Sequence, residues 1–386
     1  MATITGCGGG SSNSAMAPPS PQPAPGSAPG TGGGTSTGGS GATAAQIVYT
    51  ANGTTISGFV VNQQDGSLTA APGSPYSIDA GTFALAAHPN GNLLMAGSNS
   101  GQGDCSIGSA LHVLTVQADG KLVQKERRVL SSGCLRDLAI DPSGTHLYVT
   151  SVAGGAPSVT IFNIAADGTL TENSRQPVIS LLDSLNITAD GRYVFAILAE
   201  NGTASYSRNT STGALTQIEV FSSSGKSRED LALVGSVYYV DTPAPGSSSD
   251  VHVNRFDPAT GKRVSGCLTT GGAVLGARGI YGFGNTAFMA TYSFNGATGL
   301  RLGDDTVRSF AVANDCMTLL STAPNPGGGA NEIVVEPKGR FLYTANLGSS
   351  VSGFTANAST GVMASVPGSP FSTPSRPEDI VVVTRN

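Results

Sequence analysis

Four acidic residues, Asp137, Asp230, Glu332 and Asp379, each stand directly ahead of the first Leu or Ile of a short apolar run. The position before them holds Arg136, Glu229, Asn331 and Glu378, and two further runs carry Asp183 and Arg278 at that earlier position. Carboxylates gathered in one place bind a cation, or hold a polar ligand between themselves and Arg136 or Arg278. A carboxyl beside an arginine also serves as a general acid or base. A structural use competes with these: each acid accepts from backbone N–H groups where the chain turns into a buried strand. Whether the residues form one set depends on the elements that carry them.

Those elements repeat. One unit reads Leu135 to Val149 (LRDLAIDPSGTHLYV), then Val159 to Asn163, then Asp167-Gly-Thr-Leu170. Parallel units begin at Phe83, Leu182, Arg228, Ala277 and Asn331, at a spacing of roughly 45–55 residues. Each holds four short apolar runs separated by Asp-Gly, Asn-Gly, Ser-Gly or Thr-Gly, which permit tight hairpins. Four-stranded units at this period predict an all-β fold, a seven-bladed β-propeller. Six units are internal, and the ends complete the seventh: Ile47–Pro75 supplies three outer runs and Asp379–Val383 the innermost strand. First and last strands then close one blade, which leaves no open sheet edge. Blade symmetry places Arg136, Asp137, Asp183, Glu229, Asp230, Arg278, Glu332, Glu378 and Asp379 around one mouth of the central channel. They are the ligand-binding candidates of the chain.

Composition supports this class and excludes others. Glycine makes up 53 of 386 residues, tryptophan is absent, and only 12% of residues are charged, about half the usual share. Twenty scattered Lys and Arg with a net charge of −5 exclude an electrostatic nucleic-acid binder. No apolar run approaches the ~18 residues of a membrane helix. Residues 1–45 separate from 46–386 by composition: positions 8–45 are Gly, Ser, Pro, Ala or Thr with three exceptions. Such a segment buries too little to order itself and reads as a disordered linker.

At the head of that linker, Ile4-Thr5-Gly6-Cys7 resembles a bacterial lipobox, although only six residues precede Cys7. The reading is an exported chain tethered through a lipid on Cys7, at the outer membrane, periplasm or cell surface of a bacterium. The lipid would be its only membrane contact. Cys105, Cys134, Cys267 and Cys316 then face oxidising conditions. Loop placement brings Cys105 and Cys134 to one face of adjoining blades and predicts their disulfide. Cys267 and Cys316 lie near outermost strands of neighbouring blades, and their pairing is left open. No cysteine spacing suits zinc, and no metal or other cofactor is expected.

Other motifs carry nothing. Gly34-Thr-Ser-Thr-Gly38 matches a nucleophile pattern but lies in the linker, and Ser224-Gly-Lys-Ser227 lacks the glycine a phosphate loop needs. His112 and His252 sit in apolar third strands as packing or surface residues, and His88 and His146 belong to turns.

The HPNG, DPSG and EPKG turns, the D-G-x-L turns, and Gly73-Ser-Pro-Tyr-Ser77 and Gly368-Ser-Pro-Phe-Ser372 resemble the lactonase-type seven-bladed propellers. That group includes the 6-phosphogluconolactonase-like and YVTN-repeat proteins, and the resemblance spans 46–386. Its catalytic members carry an Arg-His pair leading into an inner strand ahead of the HPNG turn, and Asn-Glu-Leu after the second strand. Here His88-Pro89-Asn90-Gly91 keeps the turn, while Phe83-Ala84 and Gly97-Ser98-Asn99-Ser100 fill the other positions. The expectation is therefore a noncatalytic binding or scaffolding module, contacting a protein or a small polar ligand at one face. The alternatives are a lactone hydrolase with a site rearranged among Asp183, Glu229, Arg278 and Glu332, and a self-associating extracellular fibre.

Overall fold

The computed structural model describes residues 45–99, 108–130, 133–153, 155–199, 202–222, 228–243, 251–269, 277–291, 305–357 and 359–385. The linker with Cys7, and the loop with Cys105, lie outside the described residues.

Every described element is a strand. The strands pair antiparallel in groups of four, each meandering outward from an inner strand, as in a multi-bladed propeller. The inner strands are Tyr76–Ala87, Cys134–Ile140, Leu182–Ile187, Arg228–Val234, Ala277–Phe283, Ala330–Val335 and Asp379–Arg385. Each touches the next, and the last touches the first, so they enclose a channel. Closure is by the chain ends: Ala45–Ala51 pairs antiparallel with Asp379–Arg385, from Ala45 opposite Arg385 to Ala51 opposite Asp379. The strand Tyr76–Ala87 serves two blades. Tyr76 and Ser77 pair outward with Ile56 and Thr55, whereas Thr82 onward pairs with Leu93–Asn99.

The sequence dictates these elements locally. Apolar residues fall on both faces of the inner and middle strands because each blade is sandwiched between two others. Tyr193–Leu198, for example, is buried throughout. The outermost strands, such as Leu122–Leu130, alternate toward solvent. Buried side chains form clusters between successive blades, as where Leu85, Leu94 and Leu114 meet Ile47, Tyr49 and Val381. The hairpin after an inner strand reuses one turn, in which Gly91, Gly144, Gly191 and Gly339 adopt φ of 69–72°. At Gly91 a Cβ would also fall 1.8 Å from the Thr384 carbonyl oxygen, so glycine is required twice over.

The cysteines add a covalent tie. Cys267 and Cys316, whose pairing the sequence left open, form a disulfide with Cα atoms 5.1 Å apart. It joins the outer strands Arg263–Thr269 and Cys316–Pro324 of neighbouring blades. Cys134 is also disulfide-bonded.

Candidate functional site

Where most inner strands begin, the pairing register slips by a residue, as between Leu135 and Asp137 or between Arg228 and Leu231. Such bulges leave N–H groups without ladder partners. The acids take them up. Asp137 accepts from the Leu138 N–H at 2.8 Å with one oxygen, and from the Leu185 N–H of the next blade at 2.8 Å with the other. Asp230 accepts from Leu231 at 2.7 Å and from Ile280 of the next blade at 3.0 Å, and Ser184 Oγ donates to it at 3.2 Å. Asp379 accepts from Ile380 at 2.5 Å and from Leu85 at 2.6 Å. No two of these aspartates stand on adjoining blades, and each stitches its own inner strand to the next.

The receiving blades hold Ala84, Ser184 and Gly279 at the matching position, small enough to admit the carboxylate. A Cβ on Gly279 would approach the Glu332 Cα to 2.7 Å. Glu332, 2% exposed, accepts from its neighbour Ile333 at 3.2 Å. Burial pushes the Asp137 carboxyl well above the usual carboxylate range. Its hydrogen bonds to Leu138 and Leu185 pull the other way, and the charges of Asp379 and Asp230 push it up again. Asp137, Asp230 and Asp379 are no more than 1% exposed.

One residue ahead of these positions stand Arg136, Asp183, Asn331 and Glu378. Arg136 and Asp183 are half-buried on successive inner strands. Burial raises the Asp183 carboxyl, and the Arg136 guanidinium beside it draws it partly back. Arg136 Nε is buried and makes no hydrogen bond to a described residue. Around the same mouth, Arg376 donates to Glu378 at 3.0 Å, and Asn331 Nδ2 donates to the Pro377 carbonyl at 3.0 Å and to Glu378 at 3.4 Å. The side chains of Glu229 and Arg278 lie outside the described residues. Arg376 escapes detection from the sequence, because it sits in the Pro-flanked connection ahead of the repeat rather than within it.

The trailing ends of the inner strands look different. There the channel opens into a cavity of about 730 Å³ whose walls include Ile140, Leu233, Val334 and Val382. His88 borders it but is spent on its turn: Nε2 lies 2.9 Å from the Gly144 carbonyl and Nδ1 accepts from the Asn90 N–H at 3.1 Å. His146 belongs to a buried group at the blade periphery, where Arg208 donates to Asp141 at 2.7 Å and to the Tyr148 hydroxyl at 2.5 Å. A second constellation, Ser98, His112 and Asp79, has the residue types of a nucleophilic triad. Its geometry fails. Ser98 Oγ and an Asp79 oxygen both approach Nε2 of His112, at 3.2 and 3.7 Å, and Ser98 is 2% exposed. Orientation by a carboxylate requires the opposite ring nitrogen. Among the described residues no three His, Cys, Asp or Glu side chains converge on a metal position.

No family model and no curated protein matches the sequence. Solved structures do. A protein of Bacteroides uniformis described as a 6-phosphogluconolactonase superposes with a TM-score of 0.70 at 16% identity, covering 88% of this chain and 99% of its own. The periplasmic gluconolactonase of Pseudomonas aeruginosa gives 0.70 at 16%, over 89% and 99%. A Bacteroides fragilis protein, again described as a 6-phosphogluconolactonase, gives 0.68 at 17%, over 90% and 100%. The chain has the lactonase-type propeller fold. The expectation of a noncatalytic module is corrected by these three neighbours, each of which is described as a lactonase. That expectation rested on the missing Arg-His pair near Phe83 and Ala84. A periplasmic neighbour and a structural disulfide are also compatible with an exported protein.

Proposed function

We propose that the protein is an exported lactone hydrolase whose working pair, Asp183 and Arg136, stands at the channel mouth where the inner strands begin. One observation carries this reading. A half-buried carboxyl, raised by burial, lies within electrostatic reach of Arg136, whose Nε has no partner among the described residues. A base whose pKa is drawn toward the working pH is better matched to proton transfer, and a desolvated guanidinium stabilises a developing oxyanion.

Hydrolysis then runs as acyl transfer to water. Arg136 donates to the lactone carbonyl oxygen, and Asp183 takes a proton from the attacking water as the new C–O bond forms. Collapse of the tetrahedral intermediate breaks the ring C–O bond, and the proton held by Asp183 passes to the departing ring oxygen. The product is the open hydroxy acid. Arg376, Asn331 and Glu378 on the same rim suit the hydroxyls of a sugar-type lactone, the class in the names of the neighbours. Lipidation of Cys7 would tether the enzyme outside the cytoplasm, and mass spectrometry of the mature N-terminus checks that part.

The test is acid release from glucono-δ-lactone in a pH-stat. Wild type is expected to exceed the spontaneous rate, with Asp183→Asn and Arg136→Gln each slower by about 100-fold, the scale of a lost acid–base or electrostatic group. Wild type no faster than buffer, or variants equal to wild type, would remove the proposal.

A further inference from the structure

The cavity at the trailing mouth is separate from the Arg136–Asp183 pair. Asp137 and Ile140 stand three positions apart along one inner strand, a span of about 10 Å. Its walls are the apolar ends of inner strands from several blades, among them Ile140, Leu233, Val334 and Val382. At about 730 Å³ it falls within the range of small-molecule sites, roughly 300–1,000 Å³.

Two phenols, Tyr193 and Tyr281, also line it. Tyr49, Tyr76, Tyr148 and Tyr343 each spend their hydroxyl on a backbone carbonyl. Neither the Tyr193 nor the Tyr281 hydroxyl has a hydrogen bond to a described residue. Tyr281 is half-buried, and its hydroxyl, without a partner among the described residues, can donate into the cavity it lines.

We propose that this end of the channel binds an uncharged, largely apolar small molecule that carries one hydrogen-bond acceptor, received by the hydroxyl of Tyr281. Charge on the ligand is disfavoured because most of the lining is apolar, and its one carboxylate, Asp190, is already held by Thr188 and Arg192. Burial pushes the Tyr281 hydroxyl up to about 12, so it remains a donor throughout the physiological range. The site is independent of lactone hydrolysis and stands whether or not the Asp183 reading holds.

The probe is Nile red, uncharged and apolar with a single ring carbonyl, followed by its fluorescence on titration into the full chain. Expected are saturable binding to wild type, about tenfold weaker binding to Tyr281→Phe, and none to Ala87→Phe, which fills the cavity from another blade. Tyr281→Phe removes one oxygen and keeps the ring, so it decides the matter even if Ala87→Phe fails to fold, with melting curves as the check. Absence of saturable binding, or equal affinity in wild type and Tyr281→Phe, overturns the proposal.

Discussion

The two ends of the same inner strands are built on opposite principles. At the leading end, Asp137, Asp230 and Asp379 are sealed from water and bound on both oxygens by backbone N–H groups. At the trailing end, a few residues later, the strands present Ile140, Leu233, Val334 and Val382 to an open, mainly apolar cavity. Bulges explain the contrast. A register slip creates donors that must be satisfied, so the leading end needs carboxylates, while the trailing end is closed by turns whose own glycine N–H groups pair, as Gly144 does with the Asp141 carbonyl at 2.8 Å. Charge at the leading end is therefore of two kinds: aspartates consumed by the fold, and the outlying Arg136 and Asp183, to which the proposed chemistry is assigned.

The comparison breaks most visibly if Asp379 is truncated. Asp379→Ala deprives the Ile380 and Leu85 N–H groups of their acceptor at the blade that closes the ring. With about 1–3 kcal/mol for each buried group left unpaired, a loss of about 3 kcal/mol is expected in urea unfolding. A change within about 0.5 kcal/mol would mean that these carboxylates are not stitching the blades.

The same end should reveal itself in pH dependence. The folded pKa of Asp137 lies above its unfolded value near 4. Its contribution is therefore fully present below the unfolded pKa and is lost as pH rises through the folded one. Asp137→Asn cannot ionise, so the difference in urea midpoint between wild type and variant should shift in favour of the variant from about pH 4 toward neutrality. A difference constant with pH would place the charge elsewhere.

The smallest effect belongs to the trailing end. Tyr281→Phe removes a hydroxyl with no partner among the described residues, so stability should stay within about 0.5 kcal/mol of wild type or rise. A marked fall would expose a hydrogen bond that sharpens the contrast differently.

Much of this architecture is legible in the amino-acid order alone. The Asp-Gly and Asn-Gly turns at a fixed period identify a multi-bladed propeller, and alignment of the units brings the acids to one mouth. What such an alignment cannot supply is the far partner of each acid. The N–H that Asp379 satisfies belongs to Leu85, 294 positions away, and Gly279 reads as any loop glycine until Glu332 is seen against it. The Cys267–Cys316 bond depends on how closely ring curvature brings two outer strands together, which no spacing encodes. The cavity is hidden for a simpler reason. Val334, Val382 and Tyr281 have the same apolar pattern as their packed neighbours, and only closure of the ring shows which of them face empty space.

The central claim, that Asp183 works as the base beside Arg136, is tested most directly by the pH profile of kcat/KM for glucono-δ-lactone in wild type and Asp183→Asn. The account predicts an acid limb in wild type, rising with a single proton lost at an apparent pKa above the ordinary aspartate range, and its disappearance together with about 100-fold of the rate in the variant. An acid limb that survives unchanged in Asp183→Asn would contradict it.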